Sequence, residues 1–376
     1  MKIQPFKLER YFDKYEFKTQ YLLSSSDCDG YSLEYVVSCA NEDERKLWDT
    51  LKLGYTESQG SPLLRNTIAK QYRTIGESDV LVLSPGEANF ILMNVVLEPG
   101  DHVICMSPAY QSLYQVALDI GATVSFWTPE NDGSLHSHQG WHYDPKDLEG
   151  LVRENTKLII VNFPHNPTGF LPTRKEVDEI AAIAAKKNIV LFSDEMYSRM
   201  AQDPADDIPS LCDLYDNAVS LWGMAKSFGL AGLRIGWIAT KNTDILKSML
   251  SFKDYLTICN NAMSEVLTVI ALNHQDKFVV PNVAKIKRNI AAFDEFARNH
   301  SDMIEFRKPV AGSTSFIKLH VKESALNYCE RMVKQSGIML LPSEMFEYGS
   351  THARIGLGRE NMPEVLERWG EYIKKS

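Results

Sequence analysis

The sequence predicts an α/β protein with a large, mainly parallel sheet covered by helices on both faces, followed by a smaller α+β unit. Two observations carry this. From about residue 80, short apolar runs alternate with segments of helical period, and those runs are apolar at nearly every position, as strands buried on both faces are. Glycines also close the helical segments a residue or two before the next strand begins, in "EPGD" at 98–101 and "IGA" at 120–122, the usual chemistry of a helix end.

In chain order, "DVLVL" precedes the helical "EANFILMNVVLEPGD", and "HVICM" precedes "YQSLYQVALDIG". "ATVSFW" follows, then "KLIIVNF" with the helix "RKEVDEIAAIAAKKN", and then "IVLFS". Beyond "LRIGWIAT" the periodicity predicts two long helices, about 241–272 and 275–300. A second set of elements comes next: "SFIKLHV", "ALNYCERMVKQSG", "IMLLP", "HARIGLG" and a last helix from about 362. This divides the chain into an N-terminal segment at 1–40 that associates with the small domain, a large domain at 41–285 and a small C-terminal domain at 286–376.

A chain of 376 residues with 44% hydrophobic content buries a sizeable core. Its net charge of -9 and the absence of a long basic run argue against nucleic acid or an anionic membrane as partner. The N-terminus lacks the apolar stretch of a signal peptide, and no run is long enough for a membrane span, so a cytoplasmic protein is expected. The six cysteines are scattered without a CxxC pair, as free buried thiols are.

Ligands of open α/β sheets bind at the carboxyl ends of the strands, and here those ends carry chemistry. After "DVLVL" come Ser84, Pro85 and Gly86 at the start of a helix, where free N–H groups and the positive dipole end suit an anion. Tyr110 follows "HVICM" in "SPAY", Asn166 follows "KLIIVNF" in "PHNPTG", and Asp194 and Tyr197 follow "IVLF". The stretch "WGMAKSFGLAGLRIGW" adds Lys226 among small apolar residues and Arg234 eight positions on. A lysine with little water around it is more easily neutralised into a nucleophile. The set suits a flat, phosphorylated, cationic heteroaromatic ring.

In this order, "YTESQGSPLLR", "SPGEAN", "SPAYQS", "NPTG", "DEMY", "AKSFGLAGLRIGW" and the late "ARIGLG" resemble the class I/II aminotransferases of fold type I, which depend on pyridoxal 5′-phosphate (PLP). The resemblance implies that Lys226 holds PLP as an internal aldimine and shuttles the substrate proton. It implies that Asp194 pairs with the pyridine nitrogen, and that Asn166 and Tyr197 bond the ring's phenolic oxygen. Tyr110 would stack on the ring and Arg234 would grip the phosphate. Arg354, the late arginine, would clamp the substrate α-carboxylate. Tyr55 would reach the phosphate of a neighbouring subunit, which implies a homodimer with shared sites. The implied reaction is amino transfer from an L-amino acid to a 2-oxo acid. The alternative is a lyase, decarboxylase or cyclase on the same scaffold, because the N-terminal stretch resembles capreomycidine-synthase-like enzymes.

The sequence also departs from the family. Ala225 and Gly223 stand where many members carry hydroxyls, and Pro85 has no N–H to give. Two phosphate contacts are therefore expected to be missing, and a serine at 223 is expected to tighten the cofactor. The loop "SSSDCDG" lacks the family's usual substrate-loop glycine pattern. "LTICNNAM" has no arginine where dicarboxylate-specific relatives supply one, which disfavours acidic substrates. His136, His138 and His142 lie close together in "LHSHQGWH"; a turn-rich loop makes them surface histidines, and no metal is expected.

Overall fold

The computed structural model describes residues 3–130 and 140–375. The first strand, β1 (Tyr21–Leu22), stands apart from a seven-stranded sheet built of β2 (Val80–Leu83), β3 (His102–Met106), β4 (Thr123–Trp127), β5 (Thr156–Asn162), β6 (Val190–Asp194), β7 (Ala218–Gly223) and β8 (Gly236–Ala239). Their order is β2-β8-β7-β6-β5-β3-β4. β8 runs antiparallel to β2 and β7, and the other pairs are parallel. Every residue of β2, β3, β7 and β8 is buried, which accounts for their unbroken apolar runs. β4 lies at the sheet edge and is half exposed, and its sequence is correspondingly mixed. The fold class follows the sequence expectation.

Helix ends follow local chemistry. The helix Arg174–Lys186 opens with a capping box between Thr173 and Glu176. The helix Gln115–Ile120 stops at Gly121, which takes a left-handed conformation that glycine adopts without strain. The expected helix over 241–272 is two helices, Thr243–Lys253 and Ala262–Asn273. The apolar period continues through the break, but Ile258 has positive φ and the Asn261 side chain caps the second helix at Ser264. The next helix runs unbroken over Asp276–Asn299.

The C-terminal part adds β9 (Ile304–Glu305), β10 (Thr314–Leu319), β11 (Ile338–Met339), β12 (Leu341–Pro342) and β13 (His352–Gly356). Four of them form an antiparallel sheet in the order β12-β13-β10-β9, while β11 pairs in parallel with β1. The N-terminal helix α1 (Lys7–Tyr15) buries Leu8, Tyr11, Phe12 and Tyr15. It bonds in both directions: Lys14 to Glu330 at 2.7 Å, and Lys7 N–H to Gln111 Oε1 at 2.8 Å. After β1 the chain crosses β13 at contact distance. A Cβ on Gly356 would overlap the carbonyl of Ser25, and one on Gly358 the carbonyl of Asp27.

No helix among the described residues is long and apolar enough to cross a membrane. All six cysteines are free, and all but Cys259 are buried.

Candidate active site

A cavity of about 430 Å³ opens at the carboxyl edge of the large sheet. Pro85, Gly86, Tyr110, Asn166, Asp194, Tyr197, Lys226, Arg234 and Arg354 all line it. Six separate segments of the chain are thus brought to one space: five follow parallel strands of the large sheet that end on the same side, and Arg354 comes from β13 of the smaller sheet. Two predicted residues do not line it. Ser84 precedes the helix Pro85–Val96 and makes no side-chain cap, its carbonyl accepting the first helical bond from Ala88. Tyr55 is 92% exposed on the surface of the chain.

Lys226 sits just beyond β7, and its Nζ donates to Ser26 Oγ at 2.8 Å. Its amine lies 6.0 Å from the centroid of the Tyr197 ring. No carboxylate among the described residues pairs with it, so its hydrogen-bonding partner is a neutral hydroxyl. Asp194 ends β6, is 8% exposed, and accepts from Met196 N–H at 3.1 Å. Burial pushes its carboxyl up to about 6, and neither the Met196 bond nor the nearby Lys226 charge offsets that. The adjacent Glu195 points into a separate polar nest, accepting from Ser210, Ser220 and Leu211 N–H. Two neighbouring acids are therefore sorted by their bonding, one fixed in the scaffold and one left facing the cavity.

Arg354, on β13, is 2% exposed. Its Nη1 donates to Asn166 Oδ1 at 3.0 Å and its Nη2 to the Ser24 carbonyl at 2.8 Å, while Nε has no partner among the described residues. Asn166 is oriented in turn by its own N–H, which donates to Asn162 Oδ1. His165 joins this loop to the one before Tyr110, reaching the Pro108 carbonyl at 2.9 Å and Thr168 Oγ1 at 2.6 Å. Burial holds its imidazole down at about 3, hence neutral. Tyr110 donates to Glu9 at 2.6 Å, and its ring meets Phe6 at 4.8 Å. Arg234 is exposed at the cavity's edge in a left-handed conformation, φ 52°, which a side-chain-bearing residue adopts at a cost.

Gly223 and Pro85 have one common explanation. Gly223 pairs with Gly236 across β7 and β8. A Cβ on Gly223 would lie 2.8 Å from the Gly236 Cα and 3.0 Å from the Ile235 carbonyl, and one on Gly236 would lie 3.0 Å from the Pro85 ring. The proline ring packs over a glycine pair that has no room for side chains. The expectation that a serine at 223 would add a useful contact is therefore corrected.

Sequence reasoning missed the N-terminal contribution. Leu8, Glu9, Phe12 and Glu16 from α1 and its end, and Ser25, Ser26 and Asp27 from the following loop, line the cavity. So does Asn89, whose Oδ1 is buried without a partner. The usable signal was the face of α1, where Glu9, Phe12 and Glu16 recur at helical spacing. Of the histidine group, His136 and His138 lie outside the described residues. His142 bonds Glu130 and Glu176; burial lowers its pKa, but these carboxylates outweigh that and raise it overall.

The donor set fits PLP. The helix Pro85–Val96 leaves the Gly86 and Glu87 amides outside its hydrogen-bond ladder, and a Cβ on Gly86 would meet only open space. A buried acid, a lysine without a counter-ion and an arginine face the same cavity. Together they define a fold type I PLP-dependent enzyme. Residues 18–368 match the aminotransferase class I and II family, and the chain belongs to it. The chain is 28% identical to capreomycidine synthase of Streptomyces vinaceus over 291 residues, 77% of this chain and 72% of that protein. It is 24% identical to an aspartate aminotransferase of Thermotoga maritima over 331 residues, 85% and 83% of the two chains. A PLP-dependent aminotransferase structure from Streptococcus suis superposes with a TM-score of 0.91 at 27% identity, covering 100% of this chain and 99% of that one.

Proposed function

We propose that the protein transfers the amino group of an L-amino acid to a 2-oxo acid. When bound, PLP supplies a reactive carbonyl and an electron sink. Lys226 supplies the amine that holds it and carries a proton at Nζ. Asp194 holds a positive charge at the ring nitrogen, its own charge being costly until such a partner arrives. Asn166 and Tyr197 would hold the ring's oxygen and Tyr110 would hold the ring itself. Arg234 and the Gly86 amide would hold the phosphate, with Ser84 and Pro85 shaping the turn beside them. Arg354 clamps the substrate carboxylate. The observation that carries this reading is that Lys226, Asp194 and Arg354 share one cavity while no carboxylate among the described residues forms an ion pair with the lysine.

A second reading, a PLP-dependent cyclase or lyase, is supported by the likeness to capreomycidine synthase. The test is a half-reaction. The enzyme loaded with pyridoxamine phosphate is mixed with a panel of 2-oxo acids, and recovery of the aldehyde-form absorbance is followed. Recovery with at least one oxo acid, lost in Lys226→Ala, is expected; no recovery with any of them overturns transamination in favour of the second reading.

The exposed Tyr55 lies beside exposed Leu53, and its neighbour Thr56 is pinned to Asn260 by two bonds. This supports a homodimer in which Tyr55 reaches the site of the other copy, and sedimentation measures it.

A further inference from the structure

We infer that the pocket selects an amino acid whose side chain ends in a cationic nitrogen, an amine or a guanidinium, read by Glu9 and Glu16. This rests on the reading of Arg354 as the carboxylate clamp and names the substrate class of that same site.

Glu9 on α1 and Glu16 just past its end lie seven residues apart and both line the cavity, as two turns of helix allow. Among the described residues Glu9 is bonded only to the neutral phenol of Tyr110. Glu16 caps the carboxyl end of α1, where the helix dipole disfavours an anion. It is half buried, and no Lys, Arg or His among the described residues forms an ion pair with it. Asp27 adds a third carboxylate on the same side, although Arg359 holds it at 3.0 Å. Burial raises the Glu16 carboxyl first, repulsion from Asp27 and Glu9 adds to it, and the attraction of Arg359 and Lys226 does not compensate. A group placed in this way is an electrostatic mismatch that a bound cation would relieve.

The independent sign of a ligand is elsewhere on the cavity wall. Arg354, 2% exposed and facing the same cavity, keeps a buried Nε with no partner. The cavity therefore offers a carboxylate receptor at Arg354 and a cation receptor at Glu9 and Glu16, with Lys226 also on its wall. That is the charge layout of a basic α-amino acid. The side chain of aspartate or glutamate would instead meet like charges.

The holoenzyme is titrated with L-arginine and L-ornithine, with the neutral L-citrulline and L-norleucine, and with L-glutamate, and the change in cofactor absorbance gives each dissociation constant. Arginine or ornithine should bind at least about tenfold more tightly than citrulline or norleucine, the least that one charge-assisted hydrogen bond gives. In Glu16→Gln and in Glu9→Gln that ratio should fall below about threefold, and Glu16→Lys should invert it. Circular dichroism confirms folding. If neutral or acidic amino acids bind as tightly as basic ones, the inference fails while the proposed reaction stands. If no amino acid perturbs the cofactor, the reading of the site itself fails. A preference for basic amino acids that survives all three substitutions removes Glu9 and Glu16 from the role.

Discussion

Gly223 and Gly236 face each other across β7 and β8 so closely that a single added carbon on the first would fall within 2.8 Å of the second's Cα. Since the opposing atoms are backbone and the Pro85 ring closes the third side, nothing flexible can move aside. Gly223→Ser should lower stability by about 1–3 kcal/mol, the cost of overpacking a filled site, and should release PLP faster on dialysis. Thermal unfolding of the two proteins checks this. An unchanged midpoint together with slower release would mean that the strands have room that the geometry denies.

Asp194 gives a pH dependence with a definite sign. In the cofactor-free protein its carboxyl is raised from 3.8 to about 6 by burial. A carboxyl raised on folding contributes stability when protonated, present in full below about pH 4 and lost as pH climbs through about 6. Asp194→Asn removes the charge and keeps the shape. The cofactor-free variant should exceed the cofactor-free wild type by roughly 3 kcal/mol at pH 8, with the gap shrinking below pH 6. Once PLP is bound the order should reverse. Urea unfolding at pH 5 and pH 8, with and without PLP, reads both effects, and a gap that does not change with pH contradicts the assignment.

Arg354 ties the Asn166 loop to the N-terminal Ser24 with one guanidinium. A lysine has no planar fork and cannot span both acceptors. Arg354→Lys should therefore raise the apparent KM for amino acids at least about tenfold, consistent with losing one charged hydrogen bond, and should also lower the melting temperature. Equal KM values for the two proteins would take the residue out of substrate binding, whatever the stability did.

Much of this site was legible because each motif directly follows an apolar run. Asp194 and Tyr197 after β6, Asn166 after β5 and Tyr110 after β3 are read locally, and the parallel sheet does the rest. Glu9, Glu16 and Ser26 were not legible in the same way. They reach the cavity through long-range placement, the pairing of β1 with β11 and the crossing over Gly356, and no local pattern encodes a partner more than 300 residues away. The break at 254–261 was hidden because its apolar spacing continues through it. Gly223 read as a missing donor because a sequence shows which atoms are absent and not which atoms fill their place.

The bond between Arg354 and the Ser24 carbonyl joins positions 330 residues apart. On the ribosome, where chains emerge at about 5–20 residues per second, the beginning of this one must wait many seconds for its counterpart. During that interval the strand-end residues of the large sheet can already assemble and α1 can meet Gln111 and Tyr110, yet β1 and the loop after it have nothing to close against. The order of synthesis thus separates the part that grips the cofactor from the part that would choose the substrate, and completes the second only when the segment carrying Arg354 has emerged.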